Sequence, residues 1–185
     1  MASAEPTGRP STLRVLRATL AADFGAPESR PLYRMSVLAK LAVLLFRLGQ
    51  FCSASNGPAA LALWPLWYLG DRIYLRLLAG AWLCPTASCG PGLAFQHIGR
   101  GVSIGPQAQI GSDVLIFQHV VIESDGEGPF IGDNVMLGAY SVVYGPVIVG
   151  DGAQVGMQSS VTEDVPPGWS VAGVPGVARP PKAAS

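Results

Sequence analysis

His97 and His119 are the only two histidines in this 185-residue chain. Histidine is the side chain whose ordinary pKa best suits proton abstraction near neutrality. His97 stands in Phe95-Gln96-His97-Ile98-Gly99, beside an irregular stretch, and His119 in Ile116-Phe117-Gln118-His119-Val120, inside a regular one. A lone histidine is more often a packing residue than a catalyst. His97 is singled out as a general base because it falls at a break in a repeat, below an inserted loop; His119 reads as an acceptor-side or packing residue. The three cysteines, Cys52, Cys84 and Cys89, lack paired metal spacing and read as small apolar filler in a reduced, cytoplasmic setting. Two histidines cannot supply the three imidazoles of a zinc hydratase site, and no metal is expected.

The elements that must position these residues announce themselves by a period of six. From Ile98 to Val165 the chain runs IGRGVS, IGPQAQ, IGSDVL, IFQHVV, and after a longer gap IGDNVM, LGAYSV, VYGPVI, VGDGAQ, VGMQSS, VTEDVP. The first position is always Ile, Leu or Val, the fifth is small or β-branched, and the second is commonly Gly. Six is neither the 3.6-residue period of a helix nor the two-residue period of an ordinary strand. It predicts a parallel β-helix, with three hexads per triangular turn, residues eighteen apart stacked, and the first position pointing inward. Gly at the second position is expected to serve tight corners. Between Ile122 and Ile131 the spacing is nine, so Glu123–Phe130 carries a three-residue insertion that bulges as a loop.

The acidic and basic halves separate along the chain. Residues 1–97 carry nine basic and four acidic side chains (9 − 4 = +5), and residues 98–185 carry three and eight (3 − 8 = −5). No basic stripe is interleaved with aromatics, which argues against nucleic acid. Four segments are expected: 1–30, flexible with at most a short helix around Thr12–Asp23; 31–84, an α-helical lead-in; 85–178, the β-helix; and 179–185, a tail. The apolar runs 35–46 and 59–69 are too short to span a bilayer but leave room for a peripheral membrane contact. No signal peptide is evident before the first apolar run near Met35.

The hexads, the tail Ala172-Gly173-Val174-Pro175-Gly176 and the pair FQH…GRGVSIG resemble the hexapeptide-repeat acyltransferases of the serine-acetyltransferase-like branch. The helical lead-in looks most like that of capsular-polysaccharide and colanic-acid acetyltransferases. The resemblance implies a left-handed parallel β-helix, a homotrimer and active sites between prisms. It implies acetyl-CoA as donor and His97 as the base that deprotonates an acceptor hydroxyl. It assigns Ser124, Ala139 and Met157 to the cofactor groove, Arg179 and Lys182 to CoA phosphates, and Gln96, His119, Glu123 and Asp125 to the acceptor side.

Two departures bear on the acceptor. The family's acid fifteen residues before the base is replaced by Trp82, with Glu123 and Asp125 as candidate substitutes. The Asp that precedes the base in serine enzymes is Gln96, and Pro129-Phe130 stands where they carry an Arg-His pair. Arg100 is the sole cation near an otherwise acidic loop, so the expected acceptor is a sugar or polysaccharide hydroxyl. Serine is the alternative acceptor, and a non-catalytic scaffold the third reading.

Overall fold

A computed structural model describes residues 9–25 and 34–181. Helices α1 (Leu13–Phe24), α2 (Val37–Ala54) and α3 (Pro58–Gly70) come first, α3 continuing into a π-helical stretch, Asp71–Leu78. Fifteen short strands follow and form three sheets that are the faces of a prism. Face A stacks β1 (Trp82–Leu83), β4 (Ser103–Ile104), β7 (Val121–Glu123), β10 (Val142–Tyr144) and β13 (Ser160–Val161). Face B stacks β2 (Ser88–Cys89), β5 (Gln109–Ile110), β8 (Phe130–Ile131) and β11 (Ile148–Val149). Face C stacks β3 (Ala94–Phe95), β6 (Leu115–Ile116), β9 (Met136–Leu137), β12 (Gln154–Val155) and β14 (Ser170–Ala172), closed by β15 (Val177–Arg179). Every pairing is parallel except β14 with β15. This is the expected β-helix after helices, and the inward residues Ile104, Ile122, Ile131, Leu137, Val143, Val149, Val155 and Val161 are essentially without solvent contact.

The register corrects the hexad phase at its start. Ser103 pairs with Val121, eighteen residues on, but Trp82 pairs with Ser103 and Phe95 with Ile116, twenty-one residues on. Three extra residues therefore sit between β3 and β4, around His97. Ile98 is not an inward rung: it is only half-buried and its φ is +65°, inside the one-turn 3₁₀ helix His97–Gly99. Phe95 and Ile104 fill the core on either side of it.

The reason for Gly at the second position also differs from expectation. Gly111 and Gly138 have ordinary φ; a Cβ on them would lie 2.8 Å from Gly132 C and 2.7 Å from Met157 N of the next coil. Coil-to-coil closeness, not a left-handed turn, demands glycine there. The left-handed turns fall at the fourth position, where Gly101, Asp113, His119, Asn134, Tyr140, Gly152 and Gln158 have φ from +56° to +68°.

The first coil has no coil beneath it, so its downward carbonyls lack the N–H partners that Ala108 and Ile110 carbonyls receive from Ser88 and Gly90. Helix α2 supplies them from a stripe spaced by three residues. Gln50 Nε2 donates to Ala87 O (2.9 Å), Arg47 Nη1 to Cys89 O (2.8 Å), Arg47 Nη2 to Gly90 O (2.6 Å) and Ser53 Oγ to Pro85 O (2.9 Å). The rest of α2 plugs the prism with Ala42, Val43, Leu45 and Phe46. Residues 13–24, where a short helix around Thr12–Asp23 is expected, form α1, capped by Thr12 and pinned by Asp23 to Arg47. The Asp23 carboxylate also accepts from the Gly92 and Leu93 N–H groups (2.8 and 2.9 Å).

Candidate active site

His97 is placed by the three-residue insertion at the corner joining face C to face A. Its φ of +48°, followed by +65° at Ile98, gives two consecutive non-glycine residues in the left-handed region. Such backbone costs on the order of 1–3 kcal/mol per residue and persists where the surroundings fix it. Here they do: Gly99 N–H donates to Gln96 O, Arg100 N–H to His97 O, and Gly101 N–H to Ala79 O. The Gly99 backbone also lies close over Ala42 of α2, where a Cβ on Gly99 would be 3.7 Å from the Ala42 Cβ. The result is an exposed imidazole on a firmly held turn.

The same corner carries a column of residues, one per coil. Gly101, His119, Tyr140 and Gln158 occupy equivalent left-handed positions. The His119 ring stacks on Tyr140, with centroids 4.6 Å apart and planes 10° from parallel. Gly101 lies beneath it; a Cβ there would come within 2.2 Å of His119 Nδ1. His119 is thus half-buried in a stack between coils, an arrangement that accounts for it as packing. One residue earlier in each coil, Arg100, Gln118, Ala139 and Met157 form a parallel column, as their carbonyls show: Arg100 O, Gln118 O and Ala139 O accept the next coil's corner N–H. Ala139 is buried and Met157 is 74% exposed, so the two groove candidates do share one edge of the prism.

Gln118 was missed by sequence reasoning. Its side-chain Oε1 is buried and has no hydrogen-bond partner among the described residues. A lone buried acceptor beside Ala139 fits a ligand that brings amide N–H groups, as the pantetheine arm of CoA does. The repeated tripeptide Phe-Gln-His at 95–97 and 117–119 was the available signal. The two copies are one residue out of step, because Phe95 pairs with Ile116 rather than Phe117, and this hid the correspondence.

The remaining predicted residues lie elsewhere. Glu123, Ser124 and Asp125 sit at the opposite edge of face A, where the chain turns toward face B. Glu123 accepts a hydrogen bond from Ser103 Oγ, and Ser124 Oγ accepts one from Gly126 N–H (3.1 Å). Asp125 is exposed. Trp82 is outward on β1, paired in register with Ser103, and Glu123 is the one carboxylate on the strands of face A. Gln96 is half-buried at the end of β3, its N–H donating to Ile116 O. Arg179 is exposed at the end of β15, on face C, and Lys182 lies outside the described residues. A single prism therefore brings His97 together with Ala139 and Met157 along one edge, and holds Glu123, Ser124 and Asp125 a full strand's length away. Among the described residues, no cluster of three His, Cys, Asp or Glu side chains could hold a metal ion.

Comparison with known proteins supports the fold and the family. Residues 128–163 match the bacterial transferase hexapeptide (six repeats) family. The serine acetyltransferase of Mycobacterium tuberculosis is 35% identical over 128 residues, covering 63% of this chain and 55% of that protein. The chain spans about half the length of such curated relatives. The soybean serine acetyltransferase apoenzyme superposes with a TM-score of 0.68 at 30% identity, covering 89% of this chain and 69% of that one. The same enzyme complexed with serine gives 0.67 at the same identity and coverage. With its stacked hexads and 30% identity in a superposition that covers 69% of the soybean chain, this protein belongs to the hexapeptide-repeat transferase family, as a relative of the serine acetyltransferases.

Proposed function

We propose that the protein is an acetyl-CoA-dependent O-acetyltransferase in which His97 is the general base. The observation that carries this is the exposed His97 ring, held on a strained and hydrogen-bonded turn at the head of the edge that also presents Gln118, Ala139 and Met157. Acetyl-CoA supplies the acyl thioester. The His97 imidazole takes the proton of an acceptor hydroxyl as that oxygen bonds to the thioester carbonyl carbon; the carbon–sulfur bond then breaks, and the thiolate recovers the proton. Gln118 Oε1 and the apolar edge hold the pantetheine arm, while Arg179 and Lys182 meet its phosphates.

Residues at the two edges of face A are joined only if prisms stand side by side. The proposal therefore includes a homotrimer, with Glu123, Ser124 and Asp125 of one chain facing the His97 edge of its neighbour. An N–H group near Ser124 is then the donor for the developing oxyanion.

Serine is the first acceptor to test, because the relatives named above are serine acetyltransferases. A neutral sugar hydroxyl is the second reading, favoured by one feature: the acceptor side offers Gln96, Glu123 and Asp125 with Arg100 as its cation, poor company for a buried carboxylate. Thiol release from acetyl-CoA, measured with serine and with a panel of sugars, separates them. His97→Ala should lower kcat on the order of 10²–10⁴-fold with the preferred acceptor, the usual contribution of a general base. Equal turnover by wild type and variant would end the proposal.

A further inference from the structure

Helix α3 is the most apolar element of the lead-in, PAALALWPLWYLG, yet only Ala60 in it is buried. Leu61, Trp64, Leu69 and Leu77 are 70, 48, 57 and 75% exposed, and Leu66, Tyr68, Ile73 and Leu78 join them on the same rod. The helix nevertheless has a firm seat. Gly49 of α2 leaves room for the Trp67 ring, which a Cβ there would meet at 2.4 Å, and Gly70 accommodates Leu45 equally closely. The exposed face is thus built and rigid, and it offers a contiguous apolar surface of the kind that marks a contact site.

We propose that this face docks on the surface of an anionic lipid bilayer. Three observations favour that occupant. The exposed side chains are Leu and Ile with Trp64 and Tyr68, the amphipathic rings that settle at headgroup level, and the Arg72 guanidinium lies 4.9 Å over the Tyr68 ring. The charge has one sign. Apart from Arg47, which is buried against Asp23, residues 34–83 contain Arg34, Lys40, Arg72 and Arg76 against Asp71 alone (4 − 1 = +3), and Asp71 is buried against Arg76. Two copies meeting through this face would oppose like charges, whereas anionic headgroups complement it. Charge argues against spanning: Asp71, Arg72 and Arg76 interrupt the rod, and the uncharged part before them, Pro58–Gly70, is thirteen residues and rises about 20 Å against a hydrocarbon core of about 30 Å. Helix α2 has the length and composition of a span, but 56% of it is buried inside the protein, where it caps the first coil. The rod lies in the interface, with the β-helix held away from the lipid.

The test is flotation of the full chain with vesicles of phosphatidylcholine alone and with phosphatidylglycerol added. Quenching of tryptophan fluorescence by brominated acyl chains reports insertion. The protein should float with anionic vesicles, release in high salt, and show quenching. Leu69→Asp/Leu77→Asp, both exposed, should cut binding about tenfold or more while circular dichroism and thiol release with a soluble acceptor stay unchanged. Absence of flotation with either vesicle would overturn the proposal. So would a soluble oligomer that the double variant dissociates without lipid, since the occupant would then be a second copy.

Discussion

Removing the Asp23 carboxylate exposes how much the open end of the β-helix depends on side chains remote in sequence. In the native chain the Arg47–Asp23 pair has no solvent contact on either side chain. Asp23 accepts four hydrogen bonds, two from Arg47 (2.8 and 3.0 Å) and two from the Gly92 and Leu93 N–H groups. Asp23→Ala leaves a buried guanidinium without its counter-charge and two backbone donors without acceptors. Breaking a buried pair in this way costs roughly 3–5 kcal/mol. In a chain of this size that loss lowers Tm by roughly 6–20 °C, at about 2–4 °C per kcal/mol.

Urea unfolding followed by circular dichroism measures the first quantity, and calorimetry the second. Amide hydrogen exchange gives a local readout: Gly92 and Leu93 should lose protection before the strands of the later coils do. A stability loss under about 1 kcal/mol, the scale of an exposed pair, with protection of both amides intact, would refute the assignment of Asp23 as the clamp between α1, α2 and the first coil. Adding Arg47→Met to Asp23→Leu removes the stranded charge but leaves the Cys89 and Gly90 carbonyls without donors, so the double variant should not recover native stability.

Burial raises the Cys89 thiol to about 11, with the nearby Arg47 charge opposing the rise. The unfolded thiol therefore loses its proton first, and the folded state binds more protons between the two values. Stability should be full below about pH 9 and fall as pH rises toward 11, by about 3 kcal/mol in all. Urea midpoints from pH 7 to 11 in wild type and Cys89→Ala measure this as the difference between the two slopes; parallel curves would exclude it. Gly101→Ala places a methyl group against the His119 ring on backbone with φ +64°. It should cost about 1–3 kcal/mol and pull His119 off Tyr140, seen as changed His119 chemical shifts in NMR; an unaltered stability would show that the corner yields freely.

The prism was legible because its core repeats: one aliphatic residue every six, each with the same neighbours a coil away. The sequence pattern misled at Ile98, which fits the hexad as a letter but sits on the three-residue insertion that raises His97 out of the corner. Phase alone cannot reveal an insertion when an isoleucine happens to follow it. The left-handed fourth position went unread because Asp, His, Asn, Tyr, Gln and Gly share no obvious property; what unites them is backbone conformation. Gln118 went unread for a related reason, since its importance lies in a missing partner rather than in its type.

Helix α2 departs from the usual reading of an amphipathic segment, and the β-helix is the cause. Leu38, Leu41, Leu45, Leu48 and Phe51 give α2 an apolar period, which suggests that Arg47, Gln50 and Ser53 face water. A soluble bundle would bear that out. Here Leu45, Leu48 and Phe51 are buried as their period suggests, but Arg47 and Gln50 are fully buried too. A stack of parallel coils ends in a row of carbonyls with no donors, and an orphaned buried acceptor costs about as much as a lost hydrogen bond. The element covering that row must bring N–H and O–H groups at matching intervals, and a helix delivers them every three residues on one face. With both the polar and the apolar residues of α2 from Leu45 to Phe51 committed inward, most of the exposed apolar surface of the lead-in is that of α3. The same helix caps the first coil and seats α3, where Trp64 and Leu69, and Leu77 in its π-helical continuation, face outward.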